Sequence, residues 1–370
     1  MGAYVEALVC SGVGKPFEPQ TVVLGGFRDD EIVVRMVATG ICHTDYACAN
    51  GAIPVPFPFV GGHEGAGVVE QVGASVSHVA PGDHVLLSFS SCGECLRCRA
   101  GTPAYCAQMR QQNFKGSRLD GTTSFSLPAG SAVASHFFGQ SSFAAKAVVR
   151  GRSAVSVDKA LPLEVACSFG CGVQTGAGTV LNVLKPVLGS SIAIFGAGAV
   201  GMAAIIAAGL TPVAKIIAVD VVDSKLTIAR RMGATDVINA NKCRVVDEIR
   251  RLTAGQGVDR ALDATGRIST IQSMFECASP GALVVTVGAP AMGQTLEIEP
   301  AKWLEKGVSY MGVHQGSSVP SQFITHLVNF WKAGRFPIDK LIKTYPYQDI
   351  EKAHQDLATG SCVKAVLLWQ

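Results

Sequence analysis

The chain has 370 residues, of which 48% are hydrophobic and only 16% charged, so it is too long for one ordinary hydrophobic core and two domains are expected. The formal net charge of +3 is small and spread along the chain, which argues against a nucleic-acid or membrane-surface partner. Twelve cysteines in a chain whose first residues lack a basic and apolar leader predict metal ligands or free thiols in a cytoplasmic protein, rather than disulfides.

The first ninety residues have the pattern of β-strands between turns. Residues 31–37 and 67–72 alternate or run apolar between Gly, Pro and Asp, which is typical of strands, and a turn at 81–83 leads into another at 84–87. Residues 54–58 contain three prolines, which fix φ and remove donors, so they predict a stiff loop. This part of the chain is therefore predicted to be a β-rich domain.

Two short stretches in this region carry side chains that bind metals or transfer protons. Cys42 begins one and His63 lies in the other, and both residue types are preferred zinc ligands. A catalytic zinc takes three protein ligands and keeps one position open, so this pair needs a third ligand from elsewhere. Without one, the two are a buried thiol and a core imidazole on unrelated elements. The polar residues of the two stretches are Cys42, His43, Thr44, Asp45, His63 and Glu64.

Four cysteines within fifteen residues follow the β-rich region. Their spacing predicts a closed tetrahedral zinc site, which braces a loop and leaves no coordination position for a substrate. Two disulfides are disfavoured without an export signal, and the spacing misses the usual ferredoxin runs that hold iron–sulfur clusters. The four are Cys92, Cys95, Cys98 and Cys106.

Residues 107–150 are polar and rich in Gly and Ser, which predicts a long surface excursion that returns to a strand at 145–149. Three phenylalanines near its end either line a pocket or pack in a core, and a core is the simpler interpretation of each. They are Phe137, Phe138 and Phe143.

Residues 161–185 offer two candidates for the missing zinc ligand. Cys171 sits between glycines at what reads as an irregular turn before a helix. Cys167 lies in an apolar helical stretch and is more simply a core residue. The residues alone leave both open.

In the second half of the chain, strands and helices alternate. A buried strand at 190–195 is followed at once by the turn Gly196-Ala-Gly198-Ala-Val-Gly201 and by a helix at 202–210. In a dinucleotide-binding fold the first glycine allows the tight turn and the second lets a pyrophosphate approach the backbone. The third packs the helix against the sheet, and the helix N-terminus faces the phosphates. The motif therefore predicts a dinucleotide site.

Asp220 ends the next strand, 215–219, and lies 19 residues beyond Gly201, close to the separation of about 20 typical of this fold. Such a carboxylate accepts hydrogen bonds from the ribose hydroxyls and repels a 2′-phosphate. No Arg follows at once, so NAD is favoured over NADP. Gly288 follows a later strand at the carboxyl edge of the sheet, where ligands bind in this architecture. The remaining predicted elements are strands at 234–238, 258–263, 282–287 and 364–369 and helices at 245–253 and from 269.

Together these motifs resemble the zinc-dependent medium-chain alcohol dehydrogenases over nearly the whole chain. The most specific are the Gly62-His63-Glu64 turn, the four-cysteine lobe and the glycine-rich turn, while residues 136–143 look most like the aryl (benzyl) alcohol dehydrogenase branch. The resemblance implies an α/β fold with a β-rich, GroES-like catalytic domain that carries a zinc lobe, and a doubly wound parallel-sheet Rossmann domain. The implied domains are a catalytic domain at 1–174, a dinucleotide-binding domain at 175–310 and a C-terminal return to the first at 311–370.

The same resemblance implies roles for the metal-binding and proton-transferring residues. Glu64 matches an acid behind the metal that transiently ligates it. Asp45 matches the carboxylate that orients His63 and fixes its tautomer. Thr44 matches the hydroxyl that takes the proton of the alcohol. The implied ligands of the catalytic zinc are Cys42, His63 and Cys171, and those of a structural zinc are Cys92, Cys95, Cys98 and Cys106.

For the cofactor, the resemblance places His43 and Lys364 at the pyrophosphate and Lys225 near the adenosine ribose, beside Asp220. Two departures matter. The histidine that ends the proton relay in the better-known animal and yeast enzymes is replaced by Ala47, so the proton is expected to leave by water or another base. His43 replaces an arginine found in some members, and a neutral imidazole should hold pyrophosphate less tightly than a permanent cation.

The expected function is therefore hydride transfer between NAD(H) and a primary, aromatic or allylic alcohol–aldehyde pair, with two zinc ions per chain. A glutathione-adduct formaldehyde dehydrogenase shares the same zinc spacings and is the alternative within enzymes. A catalytically silent zinc- and dinucleotide-binding sensor is the alternative of another class. The resemblance also implies a homodimer or homotetramer that joins at the edge of the nucleotide domain.

Overall fold

The computed structural model describes residues 2–369, and these divide into two compact units. The first comprises residues 2–171, Val319–Asn329 and 339–369, and the second comprises Gly172–Ser318 and Phe330–Ile338. The last third of the chain therefore contributes to both units. Within the described residues, no helix combines the length and apolar character needed to cross a membrane.

The first unit contains two mainly antiparallel β-sheets. Glu31–Gly40 is central to the larger one, because it pairs with Gly65–Val72, Lys146–Arg150 and the C-terminal strand Lys364–Leu368. The smaller sheet has the order Phe59–Val60, Ala3–Cys10, Phe17–Leu24, Phe125–Ser126 and Ala132–Val133, and the larger one is completed by His84–Leu87, Ala154–Val157 and Ile342–Pro346.

Helices in the first unit are short. Nearly every one lies in a connection between strands, and the most important for the site are His43–Ala49 and the turn Cys167–Gly170. The α-helices are His43–Ala49, Leu96–Arg99, Met109–Asn113, Leu163–Ala166, Pro320–Lys332 (whose last residues belong to the other unit) and Ile350–Thr359. The 3-10 turns are Pro103–Tyr105, Phe137–Gly139, Gly151–Ser153, Cys167–Gly170, Ile338–Leu341 and Tyr347–Asp349.

The prediction of a surface excursion at 107–150 is wrong for the second half of this segment. Residues 133–144 are all buried, and Phe137, Phe138 and Phe143 belong to the hydrophobic core of the first unit. Most polar side chains of this stretch, for example those of Gln140 and Ser141, are hydrogen-bonded in the interior, and these bonds replace the water that they lose. The composition of the segment therefore misled the prediction, while the core interpretation of the three phenylalanines is confirmed.

The second unit is built on a six-stranded parallel sheet. Its strand order is Asp236–Asn239, Lys215–Asp220, Ser191–Phe195, Val258–Asp263, Ala278–Thr286 and Ser309–Gly312. Helices alternate with these strands, as the period of the sequence predicts. They are Gly172–Gly178, the π-helix Thr179–Leu184, Ala199–Ala208, Asp223–Arg231, Val245–Leu252, Ile268–Cys277 and Pro300–Lys306, with a 3-10 turn at Gln315–Ser317.

Candidate active site and metal centres

The first unit gathers four residues with metal-binding side chains that are far apart in sequence. One ligand atom from each lies within 4.8 Å of all the others. Cys42 stands in extended backbone immediately before helix His43–Ala49, and Cys171 follows the turn Cys167–Gly170. Cys167 is not in the group, and its thiol donates to the Glu164 carbonyl instead. The four are Cys42, His63, Glu64 and Cys171.

The imidazole of His63 is held so that one nitrogen faces the group. Its Nδ1 lies 3.0 Å from Asp45 Oδ1, and both side chains are fully buried. A carboxylate can only accept here, so Nδ1 carries the proton and Nε2 offers its lone pair. Nε2 is buried and has no hydrogen-bond partner among the described residues. A cation on Nε2 satisfies this atom, so the residues present fit a metal ion.

Asp45 also organises the backbone around the two ligands. Its Oδ2 accepts the N–H of Cys42 at 3.0 Å and its Oδ1 accepts the N–H of Gly62 at 2.9 Å. One carboxylate thus joins the start of the helix to the loop that carries His63. Because Asp45 is fully buried, these hydrogen bonds are not shared with water.

The electrostatics of the group favour an added positive charge. The pKa of the Cys42 thiol lies well below its usual value, because the Cys171 thiol donates to it and the charges of His63 and Lys364 lie nearby. Burial alone would lower the pKa of His63, but the charges of Asp45 and Cys42 outweigh it and raise that pKa. Without a metal, the raised pKa of His63 favours a second proton on its ring, at Nε2, and a zinc ion bound beside the Cys42 thiolate would take the place of that proton.

Behind the group lies a buried ion pair that the sequence did not reveal. Lys364, only 1% exposed, places its Nζ against the Glu64 carboxylate and donates to the Ile41 carbonyl at 3.0 Å. A side chain on Gly40 would overlap both charged groups, which explains the glycine. Glu64 raises the pKa of Lys364 despite its burial. The expected contact of Lys364 with a pyrophosphate stays a prediction, and its amine is engaged inside the first unit.

Thr44 and His43 begin the helix that follows Cys42. The Thr44 hydroxyl lies 3.7 Å from the Cys42 sulfur and is half-buried, so it borders the metal-binding group. His43 is exposed. Position 47, on the same helix, is a buried alanine and therefore offers no imidazole.

The four cysteines of the lobe also converge. One sulfur from each lies within 4.8 Å of the others, around the short helix Leu96–Arg99. Backbone N–H groups point at the sulfurs, for example Cys95 N to Cys92 Sγ at 3.3 Å. Burial raises the pKa of Cys98 and of Cys106, whereas the N–H groups of Ala107 and Cys98 hold the pKa of Cys95 at about 6. Such hydrogen bonds favour thiolates, and four thiolates suit a closed tetrahedral zinc site. The four are Cys92, Cys95, Cys98 and Cys106.

The other six cysteines are free thiols and join neither metal-binding group. Five are buried and Cys243 is exposed. The buried ones are Cys10, Cys48, Cys167, Cys277 and Cys362.

In the second unit, the three glycines of the turn differ in backbone angle and in the space around them, in the way that a dinucleotide site requires. Gly196 has a φ of +95°, which favours glycine. A Cβ on Gly201 would overlap the carbonyl oxygen of Gly196, so this helix start packs too closely for any side chain. A Cβ on Gly198 would meet nothing within 4 Å, and Gly198 caps helix Ala199–Ala208. The open space therefore lies where the backbone N–H groups of the helix start can receive an anion.

The predicted ribose-binding carboxylate lies beside this turn. Asp220 ends its strand and accepts the N–H of Ala197 at 2.6 Å and those of Val221 and Val222 at 2.8 and 3.0 Å. Lys225 is half-buried on the first turn of helix Asp223–Arg231. Gly288 lies so close to the backbone of Gly266 that a side chain would overlap it. The contacts of these residues with a cofactor stay predictions.

The chain matches two protein-family models. The alcohol dehydrogenase GroES-like domain matches residues 28–159, and the zinc-binding dehydrogenase model matches residues 199–332. The first match includes Cys42, His63 and the four-cysteine lobe, and the second begins within the glycine-rich turn. Cys171 lies between the two matches.

Individual proteins match over the whole length. A geraniol dehydrogenase of Castellaniella defragrans is 38% identical over 98% of this chain and 97% of its own. "Probable S-(hydroxymethyl)glutathione dehydrogenase 1" of Schizosaccharomyces pombe is 33% identical over 98% of this chain and 96% of its own. The crystal structure of benzyl alcohol dehydrogenase from Acinetobacter calcoaceticus has a TM-score of 0.96 at 38% identity, covering 100% of both chains.

Proposed function

Because the chain belongs to the zinc-dependent medium-chain alcohol dehydrogenases, we propose that it oxidises primary aromatic or allylic alcohols to aldehydes with NAD, and catalyses the reverse reaction. The observation that carries the proposal is the convergence of Cys42, His63 and Cys171 with Asp45 behind the imidazole. A binding protein without catalysis has no need of the Thr44 hydroxyl at this group, so the silent sensor is the weaker alternative.

We assign the catalytic zinc to Cys42, His63 and Cys171, with Glu64 as the acid behind it. When bound, zinc supplies a Lewis acid that makes an alcohol hydroxyl more acidic. Asp45 holds the His63 tautomer that leaves Nε2 for the metal, and the Lys364 ammonium neutralises the carboxylate of Glu64. The four-cysteine lobe would hold a second, structural zinc that takes no part in catalysis.

The proton of the alcohol passes to the Thr44 hydroxyl, which borders the Cys42 sulfur. Position 47 carries no side chain that accepts a proton, so water or another base removes it from there. Oxidation of the carbinol carbon also needs an acceptor for two electrons and a proton, and a bound dinucleotide would supply one, because its nicotinamide ring would take the hydride directly from that carbon. His43, at the exposed start of the helix, is assigned to the pyrophosphate.

The second unit supports dinucleotide binding through its glycine-rich turn, with Gly198 at the helix N-terminus. The carboxylate of Asp220 favours free ribose hydroxyls, and no arginine follows it, so NAD is preferred over NADP. Lys225, Gly288 and Lys364 complete the proposed set of cofactor-binding residues. We further expect a cytoplasmic homodimer or homotetramer.

The substrate class is supported by the benzyl alcohol and geraniol dehydrogenases that this chain resembles. The phenylalanines of the first unit do not carry it, because Phe59, Phe137, Phe138 and Phe143 are core residues at most 3% exposed. The similarity to an S-(hydroxymethyl)glutathione dehydrogenase keeps the glutathione adduct as the second candidate.

The test is the rate of NADH formation by purified protein with benzyl alcohol or geraniol. Matched arms replace NAD by NADP, add a zinc chelator, or offer formaldehyde with and without glutathione. We expect NAD-dependent turnover of both alcohols that the chelator abolishes. Turnover only with formaldehyde plus glutathione would support the second candidate, and turnover unaffected by the chelator would contradict the metal site.

A further inference from the structure

The segment beside the metal-binding group has an unusual backbone. Among residues 2–369, seven non-glycine residues have positive φ, and three of them lie within six positions. These are His136 at 59°, Phe138 at 52° and Ser141 at 51°, each at most 3% exposed. L residues rarely adopt this left-handed conformation, and it persists only where the surrounding structure holds it. We refer to residues 136–143 as the cradle segment.

The cradle segment is bonded to the loop that carries His63. The Gln140 amide donates from Nε2 to the His63 carbonyl at 2.9 Å, and its Oε1 accepts the N–H of Gly65 at 3.0 Å. The backbone N–H groups of Ser142 and Phe143 donate to the two glycine carbonyls before His63, each at 3.0 Å. These hydrogen bonds fix the backbone on both sides of the ligand.

The side chain of His63 is fixed as well. The Phe138 ring stacks on the imidazole, with centroids 4.4 Å apart and planes at 22°. A side chain on Gly62 would overlap Phe143, and one on Gly65 would come within 2.6 Å of Ser142. With Asp45 on Nδ1 and Phe138 on the ring face, the direction of Nε2 depends on where the cradle segment lies.

The other end of the cradle segment is anchored to a buried ion pair. Glu31 accepts two hydrogen bonds from Arg118, at 2.7 and 2.8 Å, and one from His136 Nε2 at 3.0 Å. His136 Nδ1 lies 2.8 Å from the Ser135 hydroxyl. Glu31, Ser135 and His136 are at most 3% exposed and Arg118 is 6% exposed.

The protonation states agree with this anchor. Burial alone would raise the pKa of Glu31, but the hydrogen bonds from His136 and Arg118 outweigh it and lower that pKa to about 2. Burial lowers the pKa of His136, so its ring is neutral. The neutral ring then donates from Nε2 to Glu31 and accepts the Ser135 hydroxyl at Nδ1. The cluster is therefore charge-balanced and holds His136 in its left-handed conformation.

We infer that the cradle segment, anchored through His136 by Glu31 and Arg118, positions His63 for the catalytic metal, and that Glu31 is a remote positioning residue of this site. The inference rests on the proposed function only in taking His63 as a metal ligand. A carboxylate that touches none of the ligands thus contributes to metal affinity, because it fixes a strained backbone that carries the partners of His63.

The test is metal release, measured with an excess of a coloured chelator on the full-length zinc protein. Release from the two sites is assigned with the double variant Cys42→Ala/Cys171→Ala, which retains only the lobe. We expect Glu31→Gln to accelerate zinc release from the catalytic site about tenfold and to leave release from the lobe unchanged. Tenfold is the smallest effect on metal affinity that is typical of residues hydrogen-bonded to metal ligands. In cobalt-substituted protein the same variant should shift the visible bands of the catalytic site.

Glu70→Gln is the matched control, since Glu70 pairs with Lys146 at 2.8 Å in the same unit but does not touch the cradle segment. It should leave both release rates at the wild-type values. Ser135→Ala removes only the hydroxyl bonded to His136, and it should accelerate catalytic-site release by a smaller factor. If Glu31→Gln does not fold, Ser135→Ala decides by the same criteria.

Two results would overturn the inference alone: release from both sites accelerating together, which indicates general loosening, or no change at the catalytic site. Wild-type protein that contains one zinc ion per chain, held by the lobe, would overturn the assignment of His63 and therefore the proposed function too.

Discussion

Asp45→Asn should weaken the catalytic metal site while the protein still folds. In the better orientation the amide oxygen keeps the bonds to His63 and Gly62, and the amide nitrogen then faces the N–H of Cys42. Two donors meet there, and the neutral oxygen polarises the imidazole less than a carboxylate. The bond from the Cys42 N–H to Asp45 caps helix His43–Ala49, and its loss in a buried place should cost about 1–3 kcal/mol of folding stability. Loss of the carboxylate behind the histidine should lower metal affinity about 10- to 100-fold.

The assay is competition for zinc with a chelator of known affinity, followed on wild type and variant, with unfolding by urea measured in parallel. Asp83→Asn is the matched control, because Asp83 caps the N–H of Ala80 at 2.9 Å and touches none of the predicted ligands. The control should lose less stability than Asp45→Asn, because the Asp83 hydrogen bond is exposed to water, and it should lose no metal affinity. Unchanged metal affinity in Asp45→Asn, at the stability loss expected for the cap, would refute the reasoning.

Four further outcomes are expected. Gly198→Ala should weaken NAD binding, because the added methyl occupies the open space at the helix N-terminus. The same variant should lower the free energy of unfolding by only about 1 kcal/mol or less, because the methyl meets no atom within 4 Å. Gly201→Ala should instead lower the free energy of unfolding of the second unit by about 1–3 kcal/mol, measured in urea. His43→Arg should lower the dissociation constant of NAD, measured by fluorescence titration, because a permanent cation replaces an imidazole; an unchanged or higher constant would count against pyrophosphate contact. The lowered pKa of Glu31 predicts stability that is complete above about pH 4.5 and is lost as the pH falls toward about 2. It amounts to at most about 3 kcal/mol, and unfolding measured against pH should show a shallower acid slope in Glu31→Gln than in Glu70→Gln.

Several parts of the fold follow closely from the sequence. The strand Val258–Asp263 has the predicted bounds, and Ser191–Phe195 differs by one residue, because a buried parallel strand is a continuous apolar run between turn residues. The helix after the glycine-rich turn begins at Ala199 rather than at 202, since Gly198 is already its cap. Boundaries at caps depend on backbone geometry that periodicity does not contain.

The residue types of Cys42 and His63 and the glycines around His63 indicated a candidate zinc site, and the structure brings these two side chains together. What the residues alone left open was the third ligand, and the structure brings Cys171 to the group and leaves Cys167 in the core. The choice depends on the turn between them, where Cys171 has the irregular angles φ −142° and ψ −80°. The glycines on either side of Cys171 indicate an irregular turn, but they do not indicate where its sulfur lies.

The interactions that the sequence did not reveal are polar and long-range. Lys364 reaches Glu64 across 300 positions, and Arg118 reaches Glu31 across 87. Neither pair lies at helical or strand spacing, so no periodic pattern marks it. Likewise Gln140, in a stretch expected on the surface, is fully buried because its amide satisfies the backbone around His63.

The most direct test of the proposed catalytic centre is zinc content and benzyl-alcohol-dependent NADH formation, measured on the same preparations of wild type and of Cys42→Ala/Cys171→Ala. Cys167→Ala is the control, because this buried thiol lies outside the metal-binding group. We predict about two zinc ions per chain and turnover in wild type and control, and about one zinc ion without turnover in the double variant. Two zinc ions or undiminished turnover in the double variant would contradict the assignment of the catalytic metal to Cys42, His63 and Cys171.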